Sequence, residues 1–144
     1  MTEATPPDDV KQLAASLLVI DGHADTPQRF ADEAFDLVDS PLGPGHLNLA
    51  SARAGNLAAE FFAIWPEPDA WRGRFAHRTL ALIDGVLEQV RRHPDRLALC
   101  TSPAEIAATR DAGRFAVLMA SRAATPLRTP LRCCGSITGS ACVT

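Results

Sequence analysis

An imidazole and a carboxylate stand two residues apart, directly after an apolar segment near the start of this chain. Residues 17–20 read Leu-Leu-Val-Ile, and Asp21, Gly22, His23 and Asp25 follow. In an extended strand, side chains two positions apart point the same way, so we expect His23 and Asp25 to converge at the strand end. Imidazole nitrogen and carboxylate oxygen both bind zinc-like ions, but protein sites usually have three or four ligands. The spacing predicts half of a metal site, and the alternative is a strand that ends in a polar turn.

Strand and helix patterns alternate along the chain around this pair. The hydrophobic pattern predicts a short helix over about residues 10–16 and strands over residues 17–21, 57–64 and 114–119. Such alternation implies parallel strands, and in βα barrels the chemistry lies at the carboxyl ends of the strands, where His23 and Asp25 are predicted.

Two helices are predicted between the second and third strands. A long helix is indicated by apolar residues at helical spacing, with Asp69 as a candidate cap and Pro94 as its end. These apolar residues are Phe75, Leu82, Val86 and Val90. A shorter helix has Ser102 as N-cap, Glu105 closing a capping box and Gly113 beyond its end.

Composition excludes several function classes. The 144 residues carry a formal net charge of −3, and acidic and basic residues are interspersed, so there is no basic stripe for nucleic acid. No apolar run approaches the length that spans a membrane. The acidic first residues lack the basic and apolar regions of a secretory signal, which predicts a cytoplasmic location.

Residues 18–27, Leu-Val-Ile-Asp-Gly-His-Ala-Asp-Thr-Pro, resemble the opening motif of the membrane dipeptidase (renal dipeptidase) family of zinc peptidases. Residues 46–55 and 58–65 are similar to later segments of that family, and the resemblance covers about residues 10–119. Family members commonly have Asn where this chain has Ala24, a position that is not a ligand.

The resemblance implies a (β/α)8 TIM barrel of the metal-dependent hydrolase type, with two zinc ions and dipeptides as substrates. By matching position, His23 and Asp25 would bind the first metal. A bridging carboxylate in a Glu-Gly-Gly-His motif and two later histidines would complete the centre, and none of these appears in this chain. A complete barrel usually has about 250 residues, so we expect the N-terminal portion only, with at most a weak partial zinc site and no appreciable activity. No catalytic or substrate-binding residue can be assigned.

The last segment of the chain lacks the family pattern. We therefore divide the sequence into a dipeptidase-like part, residues 1–119, and a non-homologous tail, residues 120–144. Read in the neighbouring frame, the codons that follow Met119 can encode Gly-Val-Glu-Gly-Gly-His, so we interpret the tail as the product of a frameshift near codon 120. Three of the four cysteines, Cys133, Cys134 and Cys142, fall in this tail, which argues against a disulfide framework or a zinc knuckle.

Two alternatives stay open beside the dipeptidase interpretation. An incomplete barrel exposes strand edges, so the chain could be a non-catalytic fragment that self-associates through them. It could also be another metal-dependent hydrolase on the same barrel type. The other polar and aromatic candidates also have structural interpretations. His46 is either solvated or a pocket residue, and Glu60 points either inward or outward. Four further residues are expected at helix surfaces, helix ends or packing positions. These are His77, His93, Trp65 and Trp71.

Overall fold

A computed structural model describes residues 8–121. Within that range the strands are β1 (Val19–Ala24), β2 (Leu57–Ile64), β3 (Leu97–Leu99) and β4 (Phe115–Ser121). The helices are α1 (Asp8–Ser16), α2 (Pro27–Asp32), α3 (Leu49–Ala54), α4 (Phe75–Arg92) and α5 (Pro103–Asp111). No helix among these residues has both the length and the apolarity to span a bilayer.

The four strands form one parallel sheet in the order β1-β2-β4-β3. The predicted third strand, β4, therefore lies directly beside β2, as successive strands of a barrel do. The additional strand β3 was not predicted, because three residues are too short to show a hydrophobic period. It pairs with the first half of β4, from Leu97 opposite Phe115 to Leu99 opposite Val117.

The predicted elements recur with small changes at their ends. Strand β2 has the predicted bounds, whereas β1 begins and ends later than expected and β4 continues to Ser121. The prediction that Asp69 caps the long helix was wrong. Helix α4 begins at Phe75, and the Asp69 carboxylate instead accepts a hydrogen bond from Arg72 within the preceding turn.

The short helix α5 begins as its cap residues predicted. The Ser102 hydroxyl accepts a hydrogen bond from the N–H of Glu105, at 3.3 Å, and Pro103 occupies the first turn. The Glu105 carboxylate reaches one residue further back than a capping box requires and accepts from the N–H of Thr101 at 2.6 Å. Gly113 follows with φ of +69°, a conformation that glycine adopts without steric cost.

Apolar side chains pack on both faces of the sheet. Phe62 and Ile64 of β2 pack in one cluster with Leu82 and Val86 of α4. The alternate positions of β2 and β4 form a second cluster with α5, in which Ile106 is buried. The sheet is thus held between α4 and α5, and its strand ends are fixed in space.

Strand β1 forms one edge of the described sheet, and β3 forms the other. Leu17, Leu18, Val19 and Ile20 are each exposed by 37–51%, which is unusual for four consecutive large apolar residues. The register between β1 and β2 also shifts between Asp21 and Ala24. His23 lies within this irregularity, and Asp25 directly follows it.

Candidate metal centre

The structure brings His23 and Asp25 together at the carboxyl end of β1. The His23 Nε2 atom lies 3.2 Å from Asp25 Oδ1, and both side chains are about half exposed. Strand β1 ends at Ala24, so the pair lies where the strand leaves the sheet. The convergence predicted from their spacing is observed, and their assignment as metal ligands stays a prediction.

The separation of these two atoms fits a shared cation. Zinc lies about 2.0–2.2 Å from nitrogen and oxygen ligands, so two ligand atoms at a tetrahedral angle are about 3.4 Å apart. The observed 3.2 Å between His23 Nε2 and Asp25 Oδ1 is close to that value. The donor set, one imidazole and one carboxylate, also suits zinc. The pair could hold an ion with little rearrangement, but two protein ligands alone would hold it weakly.

The Asp25 carboxylate is fixed by a residue from the next strand. The Trp65 indole N–H donates to Asp25 Oδ1 at 2.6 Å, and Trp65 directly follows β2. We had expected Trp65 only to pack. The contact joins residues 40 positions apart, so no local signal in the sequence indicates it.

A cavity of about 430 Å³ opens beside this pair. It is lined by His23, Asp25 and residues from the β1–β2 connection, including Arg29 and His46. His46, which the sequence left as either solvated or a pocket residue, is both exposed and part of this lining. The cavity therefore offers acidic, imidazole and guanidinium groups to a ligand.

Glu60 borders the same cavity from within the sheet. It lies opposite Asp21 in the strand register. Residues 60, 62 and 64 of a strand point to the same face, so Glu60 lies with Phe62 and Ile64 on the face covered by α4. Its side chain is fully buried, and no donor among residues 8–121 is in hydrogen-bonding geometry with either carboxylate oxygen. The sequence could not decide which way Glu60 points, and the structure places it on the face of the sheet that packs against α4.

Burial changes the acidity of Glu60. Desolvation, with a smaller contribution from the nearby Asp21 charge, raises the pKa of Glu60 from 4.5 to about 8. The N–H of Phe61 is near enough to offset a small part of this rise, although it is not in hydrogen-bonding geometry. Glu60 is therefore mostly a neutral carboxylic acid at pH 7. A buried carboxyl that no described residue pairs is unusual, and it makes Glu60 a sensitive reporter of this part of the fold.

A second constellation of potential ligands was not predicted. Asp36, Asp39 and His93 lie close enough to offer three ligand atoms to one ion. However, Asp36 Oδ2 already pairs with Arg92 at 2.8 Å and His93 at 2.9 Å, and Oδ1 accepts from the N–H of Val38 and Asp39. All the acceptor positions of Asp36 are thus engaged, and we assign the cluster a structural role.

These hydrogen bonds also set the acidity of Asp36. Burial disfavours its charged form, but the hydrogen bonds from His93, Asp39 and Val38 outweigh that effect and lower the pKa of Asp36. The carboxylate stays ionised and ties the loop after α2 to the end of α4. His93, expected at the helix end, is the C-cap residue of α4.

Among residues 8–121, the remaining candidates form no hydrogen bond or ion pair with the predicted metal pair. His77 is exposed on α4, and Trp71 packs beneath the guanidinium groups of Arg74 and Arg78. Cys100 is a buried free cysteine. The tail cysteines lie outside the described residues.

A comparison with protein families matches residues 8–136 to the membrane dipeptidase family, peptidase family M19. This chain belongs to the membrane dipeptidase family. The match covers His23, Asp25 and all nine described elements, and it extends past residue 119. The division at residue 119 and the frameshift behind it therefore stay predictions.

Solved structures of dipeptidases share the fold of this membrane dipeptidase family member. The probable dipeptidase PvdM from Pseudomonas aeruginosa is 22% identical with a TM-score of 0.67, and 79% of this chain covers 30% of that protein. The dipeptidase AC, a metallo peptidase, is 24% identical with a TM-score of 0.63, with coverage of 74% and 35%. A metallo peptidase from Rhodobacter sphaeroides, liganded with a phosphinate mimic of L-Ala-D-Ala, is 23% identical with a TM-score of 0.60, with coverage of 74% and 38%.

This chain thus spans about a third of the length of these solved relatives. Its parallel βα arc is an incomplete TIM barrel, which confirms the fold predicted from the sequence. The family is one of metal-dependent dipeptidases, so a relationship to metallo-dipeptidases is established.

Proposed function

We propose that this chain is part of a zinc-dependent dipeptidase in which His23 and Asp25 bind the first of two metal ions. The observation that carries the proposal is the 3.2 Å separation of His23 Nε2 and Asp25 Oδ1 at the carboxyl end of β1. Zinc in such a centre activates water and polarises the scissile carbonyl of a dipeptide. This chain would supply two ligands, hold the Asp25 carboxylate by the Trp65 indole, and form one wall of the substrate cavity.

We expect this polypeptide alone to bind zinc weakly and to have no appreciable dipeptidase activity. Only two of the ligands implied for the dinuclear centre are identified in it. Zinc-dependent hydrolysis of a simple dipeptide by the purified chain, abolished by His23→Ala, would show that the expectation of inactivity is wrong.

Zinc titration calorimetry tests the ligand assignment directly. We expect His23→Ala to weaken zinc binding at least tenfold, because the imidazole is one of only two protein ligands. His77→Ala is the matched control, since His77 is an exposed histidine on α4 away from the pair. Equal zinc affinity in wild type and His23→Ala would refute the assignment.

A second candidate function, self-association, is favoured by the open edge of β1. Four consecutive apolar residues are exposed there, and an unpaired strand edge can pair with another chain. Sedimentation velocity of wild type and Ile20→Lys tests it: a concentration-dependent oligomer that Ile20→Lys dissociates supports association through β1, and a wild-type monomer contradicts it.

The family match favours the dipeptidase over other metal-dependent hydrolases on the same barrel type.

The frameshift and the cytoplasmic location remain proposals of the same kind. Sequencing the DNA around codon 120 decides the first: an uninterrupted frame that lacks an encoded Glu-Gly-Gly-His would rule it out. Fractionation of the producing cells decides the second.

A further inference from the structure

Trp65 connects the predicted metal pair to the interior of the protein. Its indole N–H donates to Asp25 Oδ1 at 2.6 Å, the same oxygen that lies 3.2 Å from His23 Nε2. Within residues 8–121, no side chain or backbone group donates to Asp25 Oδ2. One oxygen of the carboxylate is thus held beside the imidazole, and the rotation of the whole group is restricted.

Trp65 is in turn held by a polar chain that runs to the long helix. The Gln28 side-chain N–H donates to the Trp65 carbonyl at 2.8 Å, and the Gln28 Oε1 atom accepts from Arg78 Nη2. Arg78 also forms two hydrogen bonds to the Asp32 carboxylate, at 2.7 and 2.5 Å. These contacts join the ends of β1 and β2 to α2 and α4.

The burial of Arg78 makes this chain of contacts rigid. Its side chain is only 4% exposed, whereas that of Asp32 is 53% exposed, so the charged guanidinium is held inside the protein by these partners. The Trp71 ring packs on the other side, 4.6 Å from the Arg78 guanidinium carbon. A buried, bidentate arginine has a fixed geometry, so it can fix the position of Gln28.

We propose that Trp65 is a positioning residue for Asp25 and that Gln28 and Arg78 hold Trp65 in place. The inference rests on the proposed function, because Asp25 has a catalytic purpose only as a metal ligand. Groups that hydrogen-bond to metal ligands orient them, and their loss typically weakens metal affinity 10–100-fold. Trp65 contributes both an apolar ring, which can pack, and an indole N–H, which donates to Asp25. A substitution can remove the N–H and keep an aromatic ring, so the two contributions can be measured separately.

Trp65→Phe separates these two contributions, because it keeps an aromatic ring and removes only the donor. We expect zinc affinity to fall 10–100-fold, with the fold retained as judged by circular dichroism. Gln28→Leu removes the two side-chain hydrogen bonds of Gln28, to the Trp65 carbonyl and from Arg78. We expect it to lower zinc affinity about three- to tenfold. His77→Ala is the control, because His77 is exposed on α4 and takes part in none of these contacts, and its zinc affinity is expected to stay within twofold of wild type.

A spectroscopic measurement supports the titration. The chain has two tryptophans, so Trp71→Phe leaves Trp65 as the only one, and its fluorescence then reports on the site. We expect zinc to change this emission with the midpoint found by calorimetry, and His23→Ala to abolish the change. Zinc affinity within twofold of wild type in Trp65→Phe, while His23→Ala weakens it, would overturn the positioning role and leave the proposed function intact.

A metal-free experiment tests the contact between Trp65 and Asp25 even if zinc binding does not depend on His23 and the proposed function therefore fails. The Trp65 indole N–H resonance is followed by ¹H–¹⁵N NMR in the Trp71→Phe chain. We expect Asp25→Ala to move it and to accelerate its exchange with solvent. An unmoved resonance would overturn the inference, whatever the outcome of the zinc titrations.

Discussion

Glu60→Gln tests the physical description of the sheet beneath the cavity. Glu60 is a fully buried carboxyl, and no described group pairs with either of its oxygens. Glutamine has nearly the same shape but cannot ionise. The substitution therefore removes the titration of this one group and leaves the packing around it nearly unchanged.

The magnitude follows from the pKa. Burial raises the pKa of Glu60 from 4.5 to about 8, so between these values the folded protein holds a proton that the unfolded chain releases. The stability contributed by Glu60 is complete below pH 4.5 and is lost as the pH rises through about 8. Since one pKa unit corresponds to about 1.4 kcal/mol, the free energy of unfolding should fall by about 4 kcal/mol between pH 5 and pH 9 from this group alone.

Urea denaturation followed by tryptophan fluorescence measures this effect. The free energies of unfolding of wild type and Glu60→Gln are compared from pH 5 to pH 9, so the titrations they share cancel in the difference. We expect wild type to lose about 4 kcal/mol relative to Glu60→Gln over this range. Because small domains are stable by only about 5–15 kcal/mol, the wild type should be close to unfolding at pH 9.

The control variant is Glu88→Gln, which removes an exposed carboxylate on α4 that pairs with Arg91. An exposed ion pair contributes about 0–1 kcal/mol, so its pH dependence should follow that of wild type. A difference between wild type and Glu60→Gln that changes by less than about 1 kcal/mol between pH 5 and pH 9 would refute the reasoning. It would mean that Glu60 is solvated or paired.

Three further predictions concern the fold that positions the site. Asp36→Ala should lower the free energy of unfolding by about 2–4 kcal/mol at pH 7, because it leaves His93 and two backbone N–H groups without their acceptor. Since the pKa of Asp36 is lowered, this difference should shrink as the pH falls below 4, and an equally large difference at pH 3 would contradict the assignment. Ser102→Ala should cost about 1 kcal/mol through loss of the α5 cap, measured by urea unfolding, and no change would show that the cap is unimportant. Phe62→Ala should cost about 3–5 kcal/mol, and more than the same change at the half-buried Phe61; the reverse order would mean that the core is misassigned.

Local signals in the sequence predicted several elements well. Strand β2 and the start of α5 were predicted correctly because their information is local: an apolar run between turn residues, and a Ser-Pro cap. Asp69 failed as a cap because a turn intervenes before α4. The period of the α4 helix was nonetheless correct, since Leu82 and Val86 are fully buried.

The sequence alone determined the pairing of His23 with Asp25, because two side chains of one strand end are related by the geometry of the backbone. It also determined the parallel βα class and the family. Only the tertiary structure decided that Trp65 holds Asp25 and that Glu60 is buried with no partner in the described part of the chain, since both depend on which strands lie side by side. Contacts between residues 40 positions apart are fixed by strand register and helix packing, and neither leaves a local trace in the sequence.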